Sequence, residues 1–465
     1  MMKESLIKAN AKQIINKKVT KGFLKILGEM ADTVRSLVGN ISPDLSNSRD
    51  IDILVSKMNE CLNPKGGEVS ARKNTVSLGN LYLSLSEKGK IKFLQTMAEK
   101  FTLSKVEVDE KIEKYRKNQN CELNYKFEQD LVKVLESPRF KILKQFISLS
   151  EGLKFIVDMR SDVLRLKKQY KELDRLESEL KSILLSWIDV DLLDLRQITW
   201  NAPASLLEKL IKYEAVHKIS SWDDLKNRLD SDRLCFAFFH YKIPNEPLIF
   251  VEVALMNKIA DNIQHLLDES VPSSDPKSAS IAIFYSISNT QAGLSGISLG
   301  NFLIKRVVEK LSQDFKSVKT YATLSPIPCF IKWLKENNLK QDLLLSNKLN
   351  IKQSSAEILE SIQKIKINTE SEKRRLLKLC AYYLLKVKNS SGYAYDPVAH
   401  FHLSNGASIK QLNWLADTSE NGISQSAGIM VNYLYELSKI DNNHEHYMVN
   451  KIISHSKQIL SLLKE

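Results

Sequence analysis

Residues 281–330 read IAIFYSISNTQAGLSGISLGNFLIKRVVEKLSQDFKSVKTYATLSPIPCF. A run rich in β-branched and aromatic residues, Ile281 to Ser288, leads into a loop that contains three glycines, Asn289 to Gly300. A second short apolar run, Tyr321 to Leu324, ends the unit. Between the two runs, apolar residues recur at helical spacing: Phe302, Leu303, Val307, Val308 and Leu311. The stretch therefore predicts a strand, a glycine loop, an amphipathic helix and a second strand.

The glycine loop has the layout of an anion-binding site. At a helix start, free main-chain N–H groups favour a diphosphate, and glycine lets the backbone approach phosphate oxygens because it has no Cβ. The spacing QAGLSG matches neither the nucleotide P-loop, which ends in Gly-Lys-Ser/Thr, nor the dinucleotide GxGxxG. It resembles the arm that binds the pyrophosphate of coenzyme A in acetyltransferases of the GNAT fold. On spacing alone, a plain surface turn is the alternative.

Composition places the chain among ordinary globular proteins. Its 465 residues suffice for several domains, and 43% hydrophobic and 26% charged residues are typical of folded chains. The net charge of +13 suits an anionic cofactor, an anionic membrane surface or nucleic acid. The lysines are, however, not gathered with interleaved aromatic residues, which argues against nucleic acid. No apolar run is long enough to span a membrane.

The five cysteines lie far apart and form no CxxC or Cys/His pattern, so neither a zinc site nor a disulfide framework is predicted. The N-terminal stretch is rich in lysine, contains Glu4 and lacks the apolar core of a signal peptide. The chain also ends without a peroxisomal tripeptide. We therefore expect a reducing compartment and, by default, the cytoplasm.

The character of the sequence changes near residue 188, which predicts an all-α domain, 1–188, and an α+β domain, 189–465. Before the boundary, glycine and proline are sparse from Ile91 to Trp187. One apolar seam with a spacing of about 3.5 residues indicates either a bundle helix or an oligomer contact. The seam consists of Leu166, Tyr170, Leu173, Leu176, Leu180, Ile183 and Trp187.

Beyond the boundary, strand-like and helix-like segments are mixed. Leu234–His240 and Leu248–Leu255 predict a β-hairpin with its turn at Pro244–Pro247. A further strand is expected at Ser408–Leu415. Helices are expected at Asn257–Leu267, Phe330–Glu336, Ala356–Ile367, Arg374–Lys386, Ile429–Leu437 and Val449–Leu463.

Two of the histidine-bearing segments could carry chemistry. In FHLSNGA, His402 can exchange a proton near neutral pH, and Asn405 offers an amide donor close behind. A loop histidine with satisfied hydrogen bonds is the alternative. His444 and His446 are alternate residues with no third ligand apparent, so we predict no metal site there.

Ser325 ends the second strand of the glycine-loop unit, where ligands collect in α/β layers. The segment is not a GxSxG elbow, so an acyl-serine mechanism has no support from a motif. A helix cap, with Ser325 as N-cap and Pro326 in the first turn, is a structural interpretation that is compatible with catalysis.

Several long motifs resemble malonyl-CoA decarboxylases. The strongest are FYSISNTQAGLSGISLGNFLIKRVV (Phe284–Val308), TLSPIPCFIKWL (Thr323–Leu334), HLSNGA (His402–Ala407) and NWLADTSENGISQSAGIMVNYLY (Asn413–Tyr435). Two others extend the resemblance to about residue 150, namely GLKFIVDMRSD (Gly152–Asp162) and ITWNAPASLLEKL (Ile198–Leu210).

The resemblance implies a helical oligomerisation domain, giving a dimer or tetramer, followed by an acetyltransferase-like catalytic domain. It implies conversion of malonyl-CoA to acetyl-CoA and CO₂ without a metal, biotin or another prosthetic group. It assigns catalytic roles to Ser325, His402 and Tyr435. The coenzyme A pyrophosphate loop falls on Gln291, Ala292, Gly293, Leu294, Ser295, Gly296 and Ile297.

The chain departs from the family pattern at two positions. Ser298 stands where relatives can carry an acidic residue just after the loop. Ala204 stands where an animal relative has cysteine, so an intersubunit disulfide from that position is not expected.

Loss of CO₂ from a malonyl thioester leaves an enolate, so we expect main-chain N–H donors at the thioester oxygen and proton donation by His402. Two rival functions stay open at this point. One is an N- or O-acyltransferase of the same fold, which needs an acyl acceptor. The other is a non-catalytic protein that binds coenzyme A without turnover.

Overall fold

The chain forms two compact units, Met1–Asp189 and Val190–Glu465. The computed structural model describes residues 41–117, 121–189, 192–297, 299–337, 357, 360 and 370–464. Ser298 and nearly all of the expected helix Ala356–Ile367 lie outside these ranges. No described helix is both long and apolar enough to cross a membrane.

The first unit is built from helices, as its sparse glycine and proline predict. Polar side chains cap the N-termini of several of these helices. Asn47, Ser86 and Ser137 each accept a hydrogen bond from a main-chain N–H of the first turn. The helices in the described part of this unit, α1 to α8, span Ser48–Leu62, Gly67–Ser84, Glu87–Lys100, Lys105–Lys117, Cys121–Leu135, Pro138–Gln145, Gly152–Leu166 and Leu173–Trp187.

The apolar seam of the first unit packs inside the unit. It is carried by two helices rather than one, because α7 ends at Leu166 and α8 begins at Leu173. Leu173 and Leu180 are both 0% exposed. The buried Arg160 of α7 also pairs with Glu177 of α8, at 2.7 Å between Nη2 and Oε1. Internal packing therefore accounts for most of the seam.

The second unit is organised around a seven-stranded mixed sheet. Its strands, β1 to β7, span Leu193–Ile198, Arg233–His240, Ile243–Met256, Ile281–Asn289, Thr320–Thr323, Ser408–Asn413 and Met430–Tyr435. The spatial order is β1-β2-β3-β4-β5-β7-β6. Neighbouring strands are antiparallel except β4 and β5, which are parallel.

Helices pack on this sheet through buried apolar side chains. The described helices, α9 to α18, span Ala204–Tyr213, Trp222–Asn227, Ile263–Leu266, Leu299–Asp314, Phe330–Glu336, Glu370–Lys386, Pro397–Ser404, Glu420–Ser426, Ile440–Asn450 and Lys457–Lys464. In α12, Leu303, Val307 and Leu311 are all 0% exposed, which confirms the helical spacing expected after the glycine loop. Full burial of one such side chain stabilises the fold by about 1.5–3 kcal/mol.

The site is positioned by the divergence of β4 from β5. Their parallel pairing covers only Ile281–Phe284 of β4, opposite Thr320–Thr323. β4 then continues to Asn289 while β5 has ended. The register between β3 and β4 also shifts at this point, because Glu252 pairs with Ser286 and Val253 with Phe284. Because β5 ends at Thr323, the second half of β4 has an open edge on that side.

Several predicted elements are corrected by the structure. The β-hairpin is present, but β3 already begins at Ile243, so the expected turn Pro244–Pro247 lies within the strand. His240 pairs with Ile243, and Phe239 pairs with Pro247. The residues between Ile243 and Pro247 therefore bulge out of the ladder. Pro244, which has no N–H to donate, is tolerated in such a bulge. The expected helix Asn257–Leu267 is reduced to the single turn α11.

The largest error concerns Ile429–Leu437, which is a strand, β7, and not a helix. Buried apolar strands and short buried helices share an apolar run, so periodicity alone does not separate them. The expected helix Val449–Leu463 is likewise interrupted, since α17 ends at Asn450 and α18 begins at Lys457. The helical first unit followed by a mixed-sheet unit nevertheless confirms the predicted fold class.

Candidate functional site

A cavity of about 500 Å³ opens beside the free edge of β4. Its walls come from β4, the glycine loop, the segment after β5, and α15. The lining combines apolar side chains with polar groups, as is typical of small-molecule sites. The polar lining residues that matter below are Ser286, Asn301, Ser325, His400, His402 and Ser404.

Helix α15 carries His402 into this cavity. Asp396 caps the helix by accepting hydrogen bonds from the N–H groups of Val398 and Ala399, and Pro397 occupies the first turn. The helix ends at Ser404 with Asn405 as its C-cap, and Gly406 follows with φ +80°. His402 therefore lies in a helix, so the alternative of a loop histidine is wrong.

Ser325 is held in place by the backbone of β7. Its N–H donates to the carbonyl oxygen of Val431 and its own carbonyl oxygen accepts from the Val431 N–H, both at 2.9 Å. The following helix, α13, begins only at Phe330, with Cys329 as its N-cap. The predicted role of Ser325 as a helix cap is therefore wrong.

The structure brings Ser325, His402 and Tyr435 together in one buried hydrogen-bond chain. Ser325 Oγ lies 3.1 Å from His402 Nε2, and His402 Nδ1 lies 2.8 Å from the Tyr435 hydroxyl. Ser325 Oγ also donates to Thr323 Oγ1 at 2.8 Å. The Tyr433 ring stacks on the imidazole, with 4.5 Å between ring centroids.

This network assigns the imidazole tautomer. Burial raises the pKa of Tyr435, so its hydroxyl keeps its proton. Because Ser325 Oγ directs its own proton to Thr323 Oγ1, it accepts from His402 Nε2, and Nδ1 of a neutral imidazole accepts from the Tyr435 hydroxyl. The single proton of a neutral imidazole then lies on Nε2 and points to Ser325 Oγ. Ser325 in turn donates to Thr323. Every donor in the chain is thus directed from Tyr435 towards Ser325.

Burial also fixes the charge of the histidine. His402 is 3% exposed, and desolvation lowers its pKa to about 3. No carboxylate among its described neighbours offsets this shift, because desolvation is its single cause. His402 is therefore a neutral imidazole at physiological pH, able to give the Nε2 proton while it gains one at Nδ1.

Asn405 is placed away from the 500 Å³ cavity. Its amide Nδ2 donates to Asn301 Oδ1 at 2.9 Å and to the Phe401 carbonyl oxygen at 2.7 Å. It lines a smaller cavity of about 200 Å³, together with Tyr435. Asn405 therefore ties the end of α15 to α12, while Tyr435 reaches His402 from the side remote from Ser325.

The glycine loop meets the cavity through Gly296 and Ile297. Ala292–Leu294 forms a single turn of 3₁₀ helix, and Gly296 has φ +72°, a conformation that favours glycine. Gln291 is 9% exposed, and neither amide atom of its side chain has a hydrogen-bond partner among the described residues. At Gly300, a Cβ would lie 2.6 Å from the Phe401 ring, so α12 and α15 approach closely only with glycine there.

Sequence reasoning missed three contributors to the site. Thr323 accepts hydrogen bonds from Ser325 Oγ and from the Tyr433 N–H, and Tyr433 stacks on His402. His400, two residues before His402, also lines the cavity. Strand alternation could have placed Tyr433 and Tyr435 on one face, but only if Met430–Tyr435 had been identified as a strand.

The described residues contain no group of three or more His, Cys, Asp or Glu side chains arranged to hold a metal ion. His444 and His446 both lie on α17, where His444 Nδ1 contacts the Ser404 carbonyl oxygen at 2.6 Å. The four cysteines whose side chains are described are all free: Cys61, Cys235, Cys329 and Cys380.

Comparisons with known proteins agree with the motifs. The malonyl-CoA decarboxylase C-terminal domain matches residues 191–465, and the N-terminal domain of the same family matches residues 101–188. The mitochondrial malonyl-CoA decarboxylase of the goose Anser anser anser is 38% identical over 363 residues, 72% of this chain and 72% of that protein. The mouse protein of the same name is 38% identical over 354 residues, which cover 70% of this chain and 72% of the mouse protein.

Solved structures agree as well. The malonyl-CoA decarboxylase of Rhodopseudomonas palustris superposes with a TM-score of 0.81 at 37% identity, covering 89% of this chain and 99% of that one. The Agrobacterium vitis enzyme gives a TM-score of 0.80 at 33% identity, with 89% and 100% coverage. The resemblance inferred from the motifs is confirmed, and the chain belongs to the malonyl-CoA decarboxylase family.

Proposed function

We propose that the chain converts malonyl-CoA to acetyl-CoA and CO₂, and that His402, acting through the Ser325 hydroxyl, supplies the proton for the enolate that remains when CO₂ leaves. The observation that carries this proposal is the directed hydrogen-bond chain from Tyr435 through His402 to Ser325 in the cavity wall. Family membership supports the substrate, and the hydrogen-bond chain supports the residue roles.

The glycine loop is assigned to the diphosphate of coenzyme A. Gly296 and Ile297 line the cavity just before α12, whose first turn offers free main-chain N–H groups. The partnerless amide of Gln291 supplies a further donor beside this loop. Binding of the diphosphate at the glycine loop positions the acyl group at the opposite end of the substrate. The binding energy of the diphosphate thereby orients the reacting atoms.

The open edge of β4 is assigned to the thioester oxygen. Phe284 is the last residue of β4 that pairs with β5, and Tyr285, Ser286 and Ile287 line the cavity where β4 has left β5. Main-chain N–H groups of this segment are suited to stabilise the negative charge of the enolate oxygen. Such a preorganised donor typically lowers the barrier by about 3 kcal/mol.

The proton then moves along the hydrogen-bond chain. As the C–C bond breaks, its electron pair forms the enolate, and the enolate carbon takes the Ser325 hydroxyl proton. Ser325 Oγ takes the Nε2 proton of His402, and Nδ1 takes the Tyr435 proton. Tyr435 regains a proton from solvent, so the overall reaction consumes one proton and leaves every side chain unchanged.

The same geometry argues against Ser325 as a nucleophile. An activated serine needs a base that accepts its proton, as histidine does in hydrolytic triads. Here the Nε2 proton already points to Ser325 Oγ, and Ser325 donates to Thr323 instead. Ser325 is therefore a relay that becomes free to contact the malonyl group once substrate enters.

Three properties stay predictions. The resemblance implies no metal or prosthetic group, and turnover after dialysis against a chelator measures that. It also implies a dimer or tetramer, which light scattering of the full chain measures; a single-chain mass would contradict it. A cytoplasmic location is still proposed, although the goose and mouse relatives are named mitochondrial.

The function is tested with malonyl-CoA labelled in its free carboxyl group and no acyl acceptor present. We expect labelled CO₂ and unlabelled acetyl-CoA in equal amounts. Turnover that requires an amine or hydroxyl acceptor would indicate an acyltransferase instead. Binding of coenzyme A without any turnover would indicate a non-catalytic protein.

A further inference from the structure

His400 is a second histidine in the cavity wall, and the proposed mechanism does not use it. It is half-buried on α15, two residues before His402. Its Nδ1 lies 2.8 Å from the hydroxyl of Tyr447, a residue of α17 that is 1% exposed. The pair resembles the contact between His402 and Tyr435, which suggests that His400 is also held in a defined orientation.

The hydrogen bonds around Tyr447 favour one tautomer of His400. The Ala394 N–H donates to the Tyr447 hydroxyl oxygen at 2.9 Å, so the hydroxyl proton is free to donate to His400 Nδ1. A neutral imidazole then carries its proton on Nε2. Burial and the nearby Lys451 lower the pKa of His400, so the ring is neutral. Among the described residues, this Nε2–H has no protein acceptor.

The two histidines contact different parts of the cavity. Residues two positions apart on an α-helix are rotated by about 200°, so His400 and His402 lie at opposite edges of the surface that α15 presents. His402 is at the edge that meets Ser325. His400 is at the edge that meets Tyr393 and Tyr447, with ring centroids 5.0 and 5.7 Å away. His400 therefore contacts other side chains than those of the hydrogen-bond chain of Ser325, His402 and Tyr435.

We propose that His400 Nε2–H donates a hydrogen bond to an amide carbonyl oxygen of the pantetheine arm of malonyl-CoA. The inference rests on the proposed function, because it places the acyl group at Ser325 and the diphosphate at Gly296. The substrate between these two ends carries amide groups, whose carbonyl oxygens need donors once the arm is buried. A neutral N–H donor suits a neutral carbonyl oxygen, whereas the charged diphosphate is assigned to the glycine loop.

His400→Phe tests this donor, because it keeps an aromatic ring and removes the N–H. We expect kcat/KM for malonyl-CoA to fall by roughly 10-fold, mainly through KM, as loss of one neutral hydrogen bond predicts. His400→Gln, whose amide can present a donor near the position of Nε2, should recover most of the loss. His446→Phe, at an exposed position of α17, is the matched control and should change nothing.

Shortened substrates locate the contact. Malonyl-pantetheine lacks the nucleotide, so the His400→Phe variant should lose the same factor on it as on malonyl-CoA. A loss that disappears with malonyl-pantetheine would place His400 at the nucleotide and overturn the proposal. A fall in kcat with unchanged KM would place it at the reacting group, with the same consequence. Equal kinetics of wild type and His400→Phe would also overturn it.

The wild type in the same assays separates this inference from the proposed function. If the wild type releases no CO₂ from malonyl-CoA, the function fails. If it does and His400→Phe behaves like wild type, only the role of His400 fails. Tyr447→Phe provides a second variant, because the freed Nδ1 lets His400 adopt either tautomer. A smaller KM increase on both substrates is expected, and an unchanged KM would contradict the positioning role of Tyr447.

Discussion

Replacing His402 by asparagine is expected to lower kcat by ~10²–10⁴-fold, the usual contribution of a general acid, while KM for malonyl-CoA changes little. The reason is that His402 is neutral and directs its Nε2 proton to Ser325 Oγ, 3.1 Å away. Asparagine has no ring nitrogen that can lose one proton while it gains another. Steady-state kinetics of the purified variant measure the effect.

Ser325→Ala is expected to lower kcat to a similar degree, since it removes the atom between His402 and the cavity. Both residues serve the same proton transfer, so the double variant should lose far less than the product of the two single losses. Thr323→Val is a related test, because it removes only the acceptor that holds the Ser325 hydroxyl. Near-normal turnover by His402→Asn would contradict the mechanism.

Replacing Gly296 by valine is expected to raise KM for malonyl-CoA by roughly 10- to 100-fold, as loss of a hydrogen bond to a charged group predicts. Gly296 has φ +72° and lines the cavity at the loop assigned to the diphosphate. A β-branched residue is strained in this conformation, and its Cβ would stand where phosphate oxygens approach the backbone.

Gly392→Val is the matched control for this substitution. Gly392 has φ +80°, so valine is strained there too, but the residue lies in the turn before α15 and does not line the cavity. We expect both variants to lose thermal stability and only Gly296→Val to raise KM. An unchanged KM in a folded Gly296→Val protein would remove the loop from the coenzyme A site.

The glycine-loop unit could be predicted because each of its parts has a distinct local signal. Ile281–Ser288 is rich in strand-forming residues, and α12 shows a clear helical spacing that its buried Leu303 and Leu311 confirm. β7 could not be predicted in the same way, because its first four residues, Met430–Tyr433, are all buried. Burial on both faces removes the alternation that identifies a strand.

The sequence named candidate site residues but did not indicate their arrangement. The family resemblance named Ser325, His402 and Tyr435, and the structure places them in one hydrogen-bond chain. Which nitrogen of His402 carries the proton depends on Tyr435, which is 33 residues away in sequence. Long-range contacts of this kind leave no local pattern, so the direction of the relay could only be read from the structure.

Asn405 has a structural role that its closeness to His402 in the sequence did not indicate. Its closeness to His402 in sequence suggested a donor in the site, but in the structure it is the C-cap of α15. The following Gly406 has φ +80°, and a Cβ there would lie 2.2 Å from the Ile440 carbonyl oxygen. An asparagine followed by glycine is a common helix end, so the motif SNGA has a structural explanation that the sequence could have supplied.

We propose that Ser325, His402 and Tyr435 form a proton relay rather than a nucleophilic triad. The decisive experiment is rapid quenching of the wild-type protein during turnover of malonyl-CoA in heavy water, followed by mass spectrometry of protein and product. We expect a protein of unmodified mass and acetyl-CoA with one solvent deuterium in its methyl group. An acyl group on Ser325, or a product without solvent deuterium, would contradict the relay.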